Sequence, residues 1–401
     1  MTSVQIADVA ALLASRSNPD DRRDDREVAF MSGTLPPKVP IFTQAYKDAL
    51  AQVLADTEAV NLIGAHQFRG ADIDRLAGAE FAGRRMPQRP DPERVVVTNG
   101  THSALIMLMS GLVPRGGVLA VEELSYAPVK VYADMLGITV LPVTMDHEGL
   151  LPEALTQACK QHRPAALYTM PTLHNPTTAV MSEQRREEIT DVCREFGLFI
   201  IEDDIYSVLP HHAPPPLSTY LPEQSWYILG TAKGIAAGLK IAYVVGPSRE
   251  KTGRLFWPGV RATFWMCAPI SGAVTSRLIL SGHVNEIVTA VRAEIASRQA
   301  LVPAAFGDAD LRTDPAAPHV WLRLPESTPR QASSRRYGVE ESISAPATSS
   351  YSPTRRHPTR FASDWAVHRG RSSNPHYRRS PTSTTPAGHR RDVPRPSQLA
   401  R

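Results

Sequence analysis

The sequence predicts an α/β fold with a mainly parallel sheet between two layers of helices. Two observations point to it. From residue 95 to 326, short apolar runs alternate with helical stretches of about 12–15 residues, the rhythm of strands joined by crossover helices. Four polar segments also fall just after predicted strands, where open α/β sheets place their ligands.

The elements follow in order. "VVVT" (95–98) is a β-branched run, and "NGTHSALIMLMSGL" turns through a glycine into an apolar helix. "GGVLAVE", "ITVLPVTM" and "AALYTMP" read as strands, separated by the helical "YAPVKVYADMLG" and "LPEALTQACKQH". "MSEQRREEITDVCREFG" carries explicit helix signals: Ser182 as N-cap, acids in the early turns, and Gly197 past the end. "LFIIEDDIY" reads as a buried strand running into acids, and "WYIL" and "KIAYVVG" as two more strands. A helical region over about 264–306 follows, and "HVWLRLP" (319–325) reads as the first strand of a smaller α+β domain. The expected division is an N-terminal arm (1–40), a large domain (41–280), the start of an incomplete small domain (281–326) and a tail (327–401). In the arm, Ile6, Val9, Leu12 and Leu13 have the spacing of a short amphipathic helix.

At 401 residues, 42% hydrophobic, the chain can bury a substantial core. It has no apolar run long enough to span a bilayer and no secretory signal, so a cytoplasmic protein is expected. Cys159, Cys193 and Cys267 are scattered, which suits buried free thiols; no zinc spacing, P-loop or GxGxxG occurs. The formal charge of +4 is unevenly spread: residues 327–401 hold 14 of the 44 basic and 4 of the 40 acidic side chains. The body is therefore mildly acidic and the tail strongly basic. Rich in Ser, Arg, Pro and Thr, with Leu399 its single leucine, the tail cannot bury enough apolar surface to offset its ordering entropy and is expected to be disordered. Its composition is that of a shifted reading frame in a GC-rich gene. Its arginines are scattered among prolines and not gathered on one face, which argues against a nucleic-acid arm.

The four polar segments are candidate chemistry. Asn99-Gly100-Thr101-His102 opens a helix, where free N–H groups can hold an anion, although a plain turn would look the same. Asn175-Pro176-Thr177 fixes an asparagine before a proline, or caps the next helix. Glu202, Asp203 and Asp204 close an apolar strand, with Tyr206 three residues past Asp203; buried carboxylates are costly unless paired. Lys233 and Lys240 sit in the apolar, glycine-punctuated "LGTAKGIAAGLKIAY". A lysine there is either a desolvated nucleophile or one whose stem packs while its head reaches solvent.

In this order, the segments resemble the fold type I pyridoxal-phosphate enzymes, class I/II aminotransferases. The resemblance is closest to the aminotransferase-like domain of MocR-type regulators and to 2-aminoadipate-type transaminases, and it covers roughly residues 30–326. It implies a three-layer large domain binding pyridoxal 5′-phosphate. Lys233 would form the Schiff base with the cofactor and later move the proton, and Asp203 would pair with the pyridine nitrogen. Tyr206 and Asn175 would hydrogen-bond the ring oxygen, Tyr126 would stack on the ring, and Gly100, Thr101 and His102 would cradle the phosphate. Gly33 matches the segment lining the substrate carboxylate pocket.

The sequence also departs from the pattern. The first hydroxyl of the usual Ser-x-Ser-Lys is missing in Gly230-Thr231-Ala232-Lys233, where Thr231 is the substitute candidate. The phosphate-binding arginine is replaced by Lys240, which keeps the charge without the bidentate fork. His66 stands nearest the place of an intersubunit tyrosine. No residue is available for the carboxylate-clamping arginine of the small domain. The implied function is an aminotransferase acting on an amino acid and a 2-oxo acid, as a homodimer, without membrane or nucleic-acid partners. The alternatives are a cofactor-binding protein without turnover and a lyase or decarboxylase on the same scaffold. Only about 30 residues precede the motif region, too few for a winged helix, which argues against a complete regulator.

Overall fold

The computed structural model describes residues 34–264 and 266–323. The arm up to residue 33, the end of the expected small domain and the whole tail lie outside these residues. Seven strands form one sheet: β1 (Val95–Thr98), β2 (Val118–Glu122), β3 (Thr139–Val143), β4 (Ala166–Thr169), β5 (Phe199–Asp203), β6 (Ser225–Gly230) and β7 (Ala242–Val245). Their order is β1-β7-β6-β5-β4-β2-β3. Strands β2 to β6 pair in parallel, while β7 runs antiparallel to both of its neighbours.

The pleat divides the core in two. Leu119, Val121, Tyr168 and Ile201 enter one apolar cluster, whereas their strand neighbours Ala120, Leu167 and Ile200 enter another. The first cluster takes Ala104, Leu105 and Leu108 of α4 (Thr101–Leu112) and Val129 and Ala133 of α5 (Pro128–Leu136). The second takes Leu155 and Cys159 of α6 (Pro152–His162) and Ile189 and Cys193 of α7 (Glu183–Phe196). This is the expected three-layer α/β/α arrangement. Helix α7 is bounded as its sequence signals require: Ser182 Oγ accepts from Arg185 N, and Gly197 ends it at φ 66°.

Three helices precede the sheet and were not legible as such: α1 (Pro40–Ala55), α2 (Thr57–Ile63) and α3 (Asp72–Gly83). Helix α3 packs on β7 so closely that a Cβ at Gly78 would lie 2.3 Å from Cδ1 of Tyr243. The region expected to be helical over about 264–306 divides differently. Helix α9 (Arg249–Thr263) ends at Phe264, whose φ is 54°. Then come α10 (Pro269–Leu280), α11 (His283–Gln299) and α12 (Val302–Phe306); Gly282, with φ 86°, separates the first two, and prolines open the first and the last. Helix α8 (Leu217–Tyr220) is a single turn after β5.

The strand in "HVWLRLP" is real but is not the first of its sheet. Trp321–Leu322 pairs antiparallel with Leu311–Arg312, a two-residue strand too short and too polar to announce itself. All three cysteines are free and buried. No described helix is long and apolar enough to cross a membrane.

Because the Tyr243 ring is fully buried and cannot swing away, Gly78→Ala should destabilise the protein by about 1–3 kcal/mol. Urea unfolding would measure this; an unchanged midpoint would show that α3 yields freely.

Candidate active site

A cleft of about 600 Å³ opens at the carboxyl ends of the parallel strands. The structure brings to it Gly100, Thr101, His102, Tyr126, Asn175, Asp203, Tyr206, Lys233 and Lys240, although they come from five separate stretches of chain. Gly33 lies outside the described residues; its neighbours Thr34 and Leu35 line the cleft.

One end of the cleft is built for an anion. Gly100 takes φ 105°, a conformation that disfavours any side chain, and is the N-cap of α4, whose first residues Thr101 and His102 line the cleft. The Lys240 stem crosses this turn, with its Cδ 4.0 Å from where a Gly100 Cβ would be. Lys240 itself is held at φ 53°. His102 is exposed and forms a 3.0 Å hydrogen bond between its Nε2 and the Tyr126 hydroxyl. Burial, then Lys240 and Lys233, hold its imidazole below the ordinary range, so it is the more readily neutral partner there.

The two lysines share one closed loop. Strands β6 and β7 are antiparallel, with Gly230 opposite Ala242. Thr231 ties the loop shut: its N and Oγ1 both donate to Ile241 O at 3.0 Å. Thr231 is fully buried and does not line the cleft. Its hydroxyl is engaged in closing the loop. The missing hydroxyl at Gly230 has a steric counterpart, since a Cβ there would meet Thr101 Cγ2 at 2.9 Å. Thr101, which does line the cleft, fills that space.

Lys233 is not in the apolar setting its neighbours suggested. Its Nζ donates to both O and Oγ1 of Thr34 at 2.6 Å and lies 5.5 Å from the Tyr206 ring centre. Thr34 Oγ1 also bonds the Tyr206 hydroxyl at 3.0 Å. The short "GTLPP" segment thus orders both groups, a contact that spans nearly two hundred residues and leaves no local trace. On its other side, the Tyr206 ring packs 5.4 Å from that of His319, whose Nε2 donates to His174 O, next to Asn175. Asn175 precedes Pro176 through a cis peptide bond.

At the opposite end, the three acids of "EDD" have three different partners. Asp203 lines the cleft; its Oδ1 accepts from Ile205 N at 3.3 Å and its Oδ2 from the Tyr168 hydroxyl at 3.2 Å. Glu202 points to the other face and accepts from the N–H groups of Leu217 and Ser218 at 2.8 and 2.9 Å, with Arg186 3.9 Å away. Asp204 accepts from Arg85 Nε at 3.3 Å and from the Tyr227 hydroxyl at 3.0 Å. Burial pushes the Asp203 carboxyl up to about 7, against the pull of Tyr168, the Ile205 amide and Lys233. His66 is not at the cleft; it packs in an aromatic group with Phe68 and Phe264.

These groups fit a planar, phosphorylated aromatic aldehyde. A helix N-terminus and a lysine suit its phosphate, a buried carboxylate suits a basic ring nitrogen, and an amine lies between them. Fold and cleft define a protein of the pyridoxal-phosphate transferase class. The model of the family "Aminotransferase class I and II" matches residues 39–323, and the chain belongs to that family, whose cofactor is pyridoxal 5′-phosphate.

Among curated relatives, the uncharacterized HTH-type transcriptional regulator YdeF of Bacillus subtilis is 29% identical over 213 residues, which are 52% of this chain and 45% of that protein. The aromatic amino acid aminotransferase C569.07 of Schizosaccharomyces pombe is 31% identical over 165 residues, 39% of this chain and 35% of that protein. The matched stretch spans less than half of each. The fold is shared with the kynurenine aminotransferase of Pyrococcus horikoshii, at 16% identity and a TM-score of 0.72, covering 92% of this chain and 91% of that one. It is also shared with LysN, an α-aminoadipate aminotransferase of Thermus thermophilus, at 23% identity and a TM-score of 0.66, covering 76% and 79%.

Asp203 allows a sign to be worked out. Its folded carboxyl near 7 stands above its ordinary 3.8, so the folded state keeps a proton that the unfolded chain gives up in between. Stability from this group therefore falls as pH rises from about 4 to about 7. Asp203→Asn removes the effect, so the variant should gain on the wild type across that window and run level with it above. Urea unfolding of the cofactor-free proteins at stepped pH would read the difference, and a pH-independent offset would contradict the assignment.

Proposed function

We propose that the protein is a pyridoxal-phosphate-dependent aminotransferase that moves an amino group between an amino acid and a 2-oxo acid. The observation that carries this is the convergence of Lys233, Asp203 and the anion-binding turn with Lys240 in one cleft. When bound, the cofactor supplies an aldehyde that takes up the substrate amine and a ring that withdraws electrons from the substrate Cα. Lys233 Nζ would hold the cofactor covalently and would then carry the proton taken from the substrate Cα. Asp203 keeps the ring nitrogen protonated. Tyr206 and Asn175 would hydrogen-bond the cofactor's ring oxygen, and Tyr126 would lie against the ring. Gly100, Thr101, His102 and Lys240 hold the phosphate, and Gly33 belongs to the substrate pocket. The proposal includes a cytoplasmic homodimer.

A second reading is a cofactor-binding protein without turnover. It is favoured by the similarity to HTH-type regulators and by the single-point charge of Lys240 where the family pattern has arginine.

The purified protein with added cofactor should show the visible absorbance of a lysine-bound pyridoxal, lost in Lys233→Ala. Amine transfer in that variant should fall by about 10²–10⁴-fold or more. Absence of the chromophore in the wild type would remove the proposal. A chromophore that no amino acid converts to the pyridoxamine form would select the second reading.

A further inference from the structure

The side of Asp203 that faces away from the cleft is organised by a residue outside the set derived above. We propose that Tyr168 is a positioning residue of the site: its hydroxyl aims the Asp203 carboxylate into the cleft and favours its ionised form over the protonated one. The inference rests on the cofactor reading for its purpose, but on the fold alone for its geometry.

The geometry follows from sheet register. Tyr168 on β4 stands opposite Ile201 on β5, and Asp203 lies two residues further along the same face. The side chain leans along the strand, and its hydroxyl donates to Asp203 Oδ2 at 3.2 Å. Both residues are buried, at 0% and 2% exposure, so water does not compete for this bond. A phenol hydroxyl bonded to a carboxylate favours the ionised carboxylate. With Ile205 N on Oδ1, each Asp203 oxygen has one fixed donor, and the carboxylate plane is set by two points.

The charged and titratable surroundings oppose that ionisation. Glu122 of β2, Asp204 beyond β5 and the burial itself disfavour a negative Asp203, while Lys233, from the loop after β6, favours it. Tyr132 of α5 also feels the Asp203 charge. Tyr168 is thus the side chain that donates a hydrogen bond to Asp203 against a net unfavourable field.

The protein contains its own control. Tyr227 on β6 stands opposite Glu202, on the other face of β5, and its hydroxyl donates to Asp204 at 3.0 Å. It is as buried as Tyr168 and makes the same kind of bond one residue along. A general packing role predicts equal effects of losing either hydroxyl. A positioning role predicts that Tyr168 alone acts on the cleft.

The test compares Tyr168→Phe and Tyr227→Phe in the full chain, by two readouts. In the cofactor-free protein, the ¹³C carboxyl resonance of Asp203 is followed against pH, with a wild-type midpoint expected at about 7. Its midpoint should move upward in Tyr168→Phe and stay in place in Tyr227→Phe. Pyridoxal 5′-phosphate, titrated by equilibrium binding, should bind about tenfold more weakly to Tyr168→Phe, the loss expected for a hydrogen bond to a charged group. Installing 3-fluorotyrosine at 168 keeps the shape and makes the hydroxyl a stronger donor, so the Asp203 midpoint should move downward. This substitution also decides the matter if Tyr168→Phe fails to fold. Equal shifts in the two phenylalanine variants, or an Asp203 midpoint indifferent to position 168, would overturn the inference. If no form binds the cofactor, the proposed function fails instead, while the carboxyl titration still judges Tyr168.

Discussion

Three consecutive carboxylates cannot be buried on one side of a strand, and the way β5 distributes them organises the site. The pleat sends Asp203 to one face and Glu202 and Asp204 to the other. Glu202 and Asp204 then bind the chain that follows. Glu202 accepts from the start of α8, and Asp204 recruits Arg85, whose remaining N–H groups donate to the carbonyls of Ala213 and Pro214. Arg186 lies beside Glu202 and donates to the carbonyls of Pro171, Met181 and Pro215. Buried charge is costly when isolated, and here each acid draws donors from a different segment, although both of the Asp204 donors meet Oδ2 and its buried Oδ1 has no hydrogen-bond partner among the described residues. The proline-rich stretch after Tyr206 is thereby fastened, and with it the end of the strand that carries Asp203.

Much of this was legible, for a physical reason. Strand ends, helix starts and the order of the polar segments are local properties of the chain. Gly100, Asp203, Tyr206, Lys233 and Lys240 stand out because their chemistry contrasts with apolar neighbours. What stayed hidden is long-range. Thr34 reaches Lys233 and Tyr206 across the molecule, and Tyr168 looks like any aromatic residue in a buried strand until β5 is laid beside it. The direction of the Thr231 side chain is set by loop closure, which residue identity does not encode. The strand Leu311–Arg312 exists only because Trp321–Leu322 pairs with it. The break at Phe264 depends on a left-handed backbone conformation that its residue type does not suggest.

Lys233 stands out along the chain for a reason that its setting in space does not share. The neighbours of Lys233 in the chain are small and apolar, yet its amine meets two oxygens of Thr34. Sequence neighbours describe the strand approach; spatial neighbours describe the amine. The same distinction applies to the glycine at 230. It looks like a lost hydroxyl along the chain, and in space it is the gap that the Thr101 methyl fills.

The place of β7 bears on the order in which the cleft can assemble. Strand β1 lies at the sheet edge and pairs with β7 alone, so Val96 waits for Val244. Gly100 follows β1 and Lys240 precedes β7. During synthesis from the N-terminus, the acidic end of the cleft can form once β4, β5 and β6 have emerged. The anion end has to wait for a strand made some 150 residues after its partner, a costly long-range closure. A nascent chain can therefore assemble the carboxylate end of the cleft before the end where Gly100 meets Lys240.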